Sequence, residues 1–379
     1  FLIKLSSISA VLSTGAVLSA CGGGETTMVN YDYGVASGDP LSDRVILWTH
    51  AKYQNKADSV PLTWQVATEI EFTNIVASGV AQSSAETAYT CKVDATGLAA
   101  NQSYFYRFVS DRHVSPIGRT KTLPVGSVAQ VKLAVLSCSN YPTGYFNVYS
   151  EVAKSDVDVA IHLGDYIYEY AATGYASENA AKLGRTSVPS TELLSLDDYR
   201  LRHAQYKSDA DLKQFHASKP MIAVWDDHEI ANDTYKDGAE NHTTATEGSF
   251  AARKAAAIQA YHEWMPIRTG SDKNKIYRSF NFGSLMSLHM LDTRLIGRDQ
   301  QVEFADLLTP SKQAAAMATL TSTSRQLLGA EQLQWLTSQM ATSTSTWQFL
   351  GQQVLMGRME FPLTILQALN PSDTSPQAQ

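Results

Sequence analysis

Residues 221–233 read Met-Ile-Ala-Val-Trp-Asp-Asp-His-Glu-Ile-Ala-Asn-Asp, an apolar run that stops at two acids, a histidine and, shortly after, an amide. A run without polar alternation is buried on both faces, as are strands of a sheet flanked by helices. The same grammar recurs along the chain. Apolar runs at 131–136, 157–163 and 285–291 end in Ser137-Cys138-Ser139-Asn140, Gly164-Asp165-Tyr166-Ile167-Tyr168-Glu169 and Asp292-Thr293-Arg294, and a fifth run occupies 347–356. Helix-like segments lie between them at 196–216, 250–264 and 329–340. Such sheets bind ligands just beyond the carboxyl ends of their strands, so the polar clusters are predicted to converge on one site.

Upstream the pattern changes. From 30 to 125, short alternating runs at 34–40, 44–49, 62–67, 88–93 and 103–109 are separated by turn residues, which predicts an all-β sandwich. The stretch from Gly97 to Tyr106 is similar to the tyrosine-bearing corner of immunoglobulin-like and fibronectin-like modules, and a structural cap is expected ahead of a binding module. The fold class is therefore α/β (α+β): a β-sandwich at 30–125, then a larger domain at 130–379 whose sheet core is flanked by helices.

With 379 residues and 44% apolar composition the chain can bury a large core. A net charge of -7 and the absence of a long basic run argue against nucleic acid as a specific partner. Lys4 followed by the apolar, small-residue stretch 8–18, too short to span a bilayer, reads as an export signal. Leu18-Ser19-Ala20-Cys21 resembles the bacterial lipobox, which makes 1–21 a lipoprotein signal peptide, Cys21 the lipidation site and 22–29 a glycine-led linker. The expectation is a periplasmic or cell-surface lipoprotein, monomeric and membrane-anchored. Cys91 and Cys138 allow at most one disulfide in that oxidising setting, and Cys91, in a strand-like pattern, reads as a small buried residue.

Thiolate, carboxylate, phenolate, amide and imidazole groups make poor sense as a Ser-His-Asp triad, and the sequence has no Gly-x-Ser-x-Gly elbow. Each group is a plausible metal ligand. Ser137-Cys138-Ser139, the octapeptide His162 to Glu169, Trp225-Asp226-Asp227-His228-Glu229 with Asn232, and the stretch Ala260 to Arg268 occur in an order that resembles the PhoD-like alkaline phosphatase family of the calcineurin-like metallophosphoesterase superfamily. That family also carries a small N-terminal sandwich opening with a stretch like Gly34-Val35-Ala36-Ser37-Gly38-Asp39-Pro40.

The resemblance implies a metallophosphoesterase core with Fe3+ on Cys138 and Tyr168, and with Asp165 bridging Fe3+ and Ca2+. Asn232 matches a calcium-binding amide, and Asn140 stands where the family can carry an acidic calcium ligand. Of Asp226 and Asp227, one is expected near the metals, Asp227 being so placed, and the other beside it. His228 is implied to face the scissile phosphate, Arg253 to contact it, and Arg294 is a further candidate without an assigned role. The implied substrate is a small-molecule phosphate ester, attacked by a metal-held hydroxide. A related phosphodiesterase, phospholipase-D-like in acting on exposed diesters, is the alternative within enzymes; a surface binding protein with a degenerate catalytic domain is the alternative outside them. The family's closing Gly-Asp-x-His motif has no counterpart, since Gly-Asp occurs only at Gly38-Asp39 and Gly164-Asp165 and the last histidine is His289. The missing motif leads to the expectation of a chain cut inside the catalytic domain, weakened in metal binding and activity, and the lack of an initiating Met to that of an incomplete start.

Overall fold

The computed structural model describes residues 28–357, so the lipobox and Cys21 lie outside the described residues. The architecture mixes sheets with helices, as expected. Its centre is a six-stranded sheet in the order Leu133–Leu136, Val159–His162, Pro220–Ala223, Val35–Gly38, Arg44–His50, Thr90–Thr96. The first four strands are mutually parallel and the last two antiparallel. A second, antiparallel sheet runs Gly118–Lys121, Ser103–Ser110, Val60–Ala67, Ile75–Ser83. A third pairs Arg278–Phe282 with Met286–Met290, and the latter with Trp347–Gly351.

Alternation decides which side each residue serves. On Arg44–His50, Val45 and Leu47 join Leu62, Val66, Tyr104, Tyr106 and Phe108 in one core, while Trp48 on the opposite side packs with Ala36 and Trp264. The larger core joins Val159, Ile161, Met221 and Ile222 to Phe280, Met286, Leu288 and Met290. One sheet thus draws strands from both halves of the chain. Val35–Gly38 pairs with Pro220–Ala223 through Ser37 and Gly38, and a Cβ on Gly38 would stand 2.5 Å from the Met221 carbonyl oxygen and 2.2 Å from that of Pro266.

Helix Phe250–Trp264 falls where the pattern placed it, with Ala257, Ile258, Ala260 and Tyr261 buried. The segment 196–216, expected as one helix, is two: Leu196–Ser208 and Ala210–Ser218. Asp209 separates them in an extended conformation, and its side chain accepts the Leu212 N–H at 3.0 Å. An acid that caps a new helix competes with continuation of the old one. Among the described residues no helix is long and apolar enough to cross a membrane.

Candidate metal-binding active site

The polar clusters lie just past the ends of adjacent strands, and their main chains lock together. Cys138 and Asp165 both adopt left-handed backbone, with φ of 59° and 56°, which costs about 1–3 kcal/mol for a residue with a side chain. The Cys138 N–H donates to the Gly164 carbonyl at 3.2 Å, and the Ser139 N–H to that of Asp165 at 2.9 Å. Gly164, at φ 109°, has no room for a side chain, because a Cβ would sit 2.4 Å from the Asp226 nitrogen. Three strand ends are therefore in contact at one glycine.

Two buried glutamates hold the loops. Glu229 accepts the N–H groups of Asp165 at 3.0 Å, Tyr166 at 2.6 Å and Asp226 at 2.8 Å. Burial pushes its carboxyl up, and the three amide donors act to keep the charge. Glu169 bonds His228 Nδ1 at 2.8 Å, the Asn232 N–H at 2.7 Å and Asn241 Nδ2 at 2.8 Å. Asp292 accepts the N–H groups of Arg294 and Leu295, each at 2.8 Å, and the Trp225 indole N–H at 3.1 Å. All three acids stand inside the sequence motifs given above, where no role attaches to them. Their signal was an acid next to an apolar run, which buries a charge that must then collect main-chain donors.

Ligand-capable atoms of Asp165, Asp227 and His228 lie within 4.8 Å of one another. Asp165 Oδ2 accepts the Tyr168 hydroxyl at 3.0 Å, whereas Oδ1 is buried without a hydrogen-bond partner. Both amide atoms of Asn140 are likewise buried and unpartnered. Buried oxygens left open in an acidic pocket are what a hard cation takes up, so the residues present fit a metal site. Tyr168 stacks on His228 with ring centroids 4.2 Å apart. Cys138 carries a partly exposed thiol whose pKa is raised, mainly by burial and then by Asp165. A cation would be needed to draw off its proton.

The adjacent acids divide. Asp227 belongs to the cluster and accepts the Asp233 N–H at 2.7 Å; Asp226 instead bonds Arg294 Nε at 2.6 Å. Burial and the Asp227 charge push Asp226 up to about 7. Burial also raises Asp227, but Arg294 and His228 outweigh it and hold that carboxyl below the usual range. Asp165 is raised, chiefly by burial. Burial opposes protonation of His228, yet Glu169, Asp227 and Asp165 together lift its pKa to about 9. With Nδ1 on Glu169, Nε2 is the free ring nitrogen.

Asn232 is half-buried beside the cluster, its amide Nδ2 donating to Glu240 at 3.1 Å. Arg253, expected on phosphate, is buried with its donors committed to Glu192 at 2.7 Å, the Asn241 carbonyl at 2.8 Å and the Tyr199 hydroxyl at 3.1 Å. It reaches His228 only through Asn241 and Glu169. Arg294 lies among three acids: Nε bonds Asp226, Nη2 lies 3.4 Å from Asp227, and Nη1, buried without a hydrogen-bond partner, lies 3.6 Å from Asp233.

The strand ends of this α+β chain thus gather two carboxylates and an imidazole into a candidate cation site. Its residues 133–375 match the model of the PhoD-like phosphatase family, and residues 18–124 match that of the PhoD-like phosphatase N-terminal domain. The chain belongs to the PhoD-like phosphatase family. It is 40% identical over 344 residues to alkaline phosphatase D of Bacillus subtilis (strain 168), an alignment spanning 87% of this chain and 57% of that protein. A solved structure of PhoD superimposes with a TM-score of 0.76 at 39% identity, covering 86% of this chain and 63% of that one. The chain thus spans less than two thirds of the length of either relative.

Proposed function

We propose that the Asp165, Asp227 and His228 cluster hydrolyses phosphate esters with metal ions, Fe3+ and Ca2+ being the pair the family resemblance implies. The observation that carries this reading is the buried Asp165 oxygen without a partner, in a carboxylate grouped with Asp227 and His228 inside 4.8 Å. Asp165 and Asp227, with Cys138, Tyr168, Asn140 and Asn232 around them, would hold the ions. Such ions, when bound, draw charge from the phosphate and lower the pKa of the attacking water. His228, fixed at Nδ1 by Glu169, gives its Nε2 proton to the leaving ester oxygen as that P–O bond breaks, while the water, having released a proton to solvent, adds its oxygen to phosphorus. Arg294 Nη1 supplies a guanidinium donor to a phosphate oxygen.

The test is turnover of p-nitrophenyl phosphate and its diester by the wild type, Asp165→Ala and Cys138→Ser. Both variants are expected to lose roughly 100-fold or more in kcat/KM; retained activity in both, or a protein without iron by elemental analysis, contradicts the reading. Two finer parts go with it. The immunoglobulin-like character of residues 30–125 is supported by the Tyr104 hydroxyl, which accepts the Ala99 N–H at 2.8 Å as a tyrosine corner does. Anchoring at the cell surface through Cys21 is supported by the lipobox-like sequence, and labelled palmitate should enter the wild type but not Cys21→Ser.

A further inference from the structure

We propose that Asp39, from the N-terminal region, is a positioning residue for the candidate site. It fixes, directly and through Arg278, the strand end that delivers Asp226, Asp227 and His228. The inference rests on the phosphatase reading for its functional meaning, and on main-chain geometry for its substance.

Asp39 is fully buried and held at a left-handed φ of 43°. Its N–H donates to the Met221 carbonyl at 3.0 Å. Its carboxylate takes Arg278 in two bonds, Oδ1 from Nη2 at 2.6 Å and Oδ2 from Nε at 2.9 Å, and Oδ2 also accepts the Arg268 N–H at 2.7 Å. Arg278 Nη2 in turn donates to the Ala223 carbonyl at 2.8 Å. That carbonyl needs it. The ladder between Val35–Gly38 and Pro220–Ala223 consists of the pairs Pro220–Ser37 and Met221–Gly38, so Ala223 lies past its end on that side.

Ala223 is the last residue of its strand, and Asp226 follows three residues later. On the far side the same loop is held by Glu229 and Asp292. Without the Asp39 charge the Arg278 guanidinium, only 18% exposed, loses its counter-ion and its fixed orientation. The Ala223 carbonyl is then free to shift, and active-site groups displaced by a fraction of an ångström lose rate rather than affinity.

Asp39→Asn keeps the side-chain size and the backbone N–H while removing the charge. Arg268→Ala is the control: it removes side-chain bonds to the Asp39 carbonyl and Asp94 but leaves Arg278 on Ala223. Steady-state kinetics, thermal unfolding and the histidine Cε1–H NMR spectrum are recorded on each full-length protein, the His228 signal being assigned with His228→Asn. Asp39→Asn is expected to lower kcat roughly tenfold or more with KM little changed, and to shift the His228 signal; Arg268→Ala lowers Tm and does neither. An unchanged kcat with an unshifted signal in a folded Asp39→Asn overturns the proposal, as does an equal kcat loss in Arg268→Ala. Should Asp39→Asn fail to fold, Arg278→Lys is held to the same two criteria. A wild type without turnover refutes the phosphatase reading instead, and the NMR shift alone then decides the positioning role.

Discussion

At the scale of single residues, adjacent acids carry opposite duties. Asp227 sits with Asp165 and His228, and Asp226 is tied to Arg294. Asp227→Asn should therefore weaken binding of a divalent cation beyond the roughly 10–100-fold typical of losing an outer partner, and Asp226→Asn should stay within that range. Isothermal titration with Ca2+ separates the two, and equal losses would erase the division. Glu169→Gln removes the charge that orients His228 and should reduce kcat roughly 100-fold and also lower stability, since it takes the counter-ion from a buried imidazolium, both read from paired kinetics and melts. Gly164→Ala should cost about 3 kcal/mol or more in urea unfolding, because the added Cβ meets the Asp226 backbone and cannot move aside. The identities of these residues stood in the sequence. Which of two adjacent acids binds and which braces did not, because that depends on Arg294, far along the chain.

At the scale of elements, continuous apolar runs marked the strands Leu133–Leu136, Val159–His162, Pro220–Ala223, Met286–Met290 and Trp347–Gly351 to within a few residues. Ile75–Ser83 escaped notice because its small and polar residues alternate between half-buried and exposed, leaving no apolar period to read. The break between Leu196–Ser208 and Ala210–Ser218 was legible in principle, since Asp209 is a good N-cap, but nothing local said it would outcompete helix continuation. Asp209 also pairs with buried Arg185 at 2.6 Å. Asp209→Ala should thus cost about 3–5 kcal/mol, the price of a stranded buried charge. Ser195→Ala, which removes only a cap, should cost about 1 kcal/mol. Urea melts of the two variants check the difference.

At the scale of the whole molecule, the halves that differ in sequence grammar share one sheet and a set of cross-links. Trp48 donates to the Glu263 carbonyl at 2.8 Å, Arg268 pairs with Asp94 at 2.9 Å and Lys92 with the His262 carbonyl at 2.7 Å. Alternation within a strand says which side is buried, but not which distant strand it joins. Both halves also bury neutral histidines: burial lowers His50 and His262 to about 4, and His162 and His203 to about 3. Since these folded values lie below the unfolded value of about 6.5, their contribution is complete above that pH and is lost as pH falls toward 4. Each can steepen the loss by about 1.4 kcal/mol per pH unit, so unfolding midpoints should drop sharply between pH 6 and 4, and a flat profile would contradict their burial. The central claim is that carboxylates and an imidazole from separate strand ends make one metal-dependent phosphate site. It is tested by stripping the protein with chelator and restoring it with iron plus calcium while following phosphate ester turnover. The account predicts loss and recovery in the wild type and no recovery in Asp165→Ala; turnover that survives chelation, or that recovers equally in the variant, would contradict it.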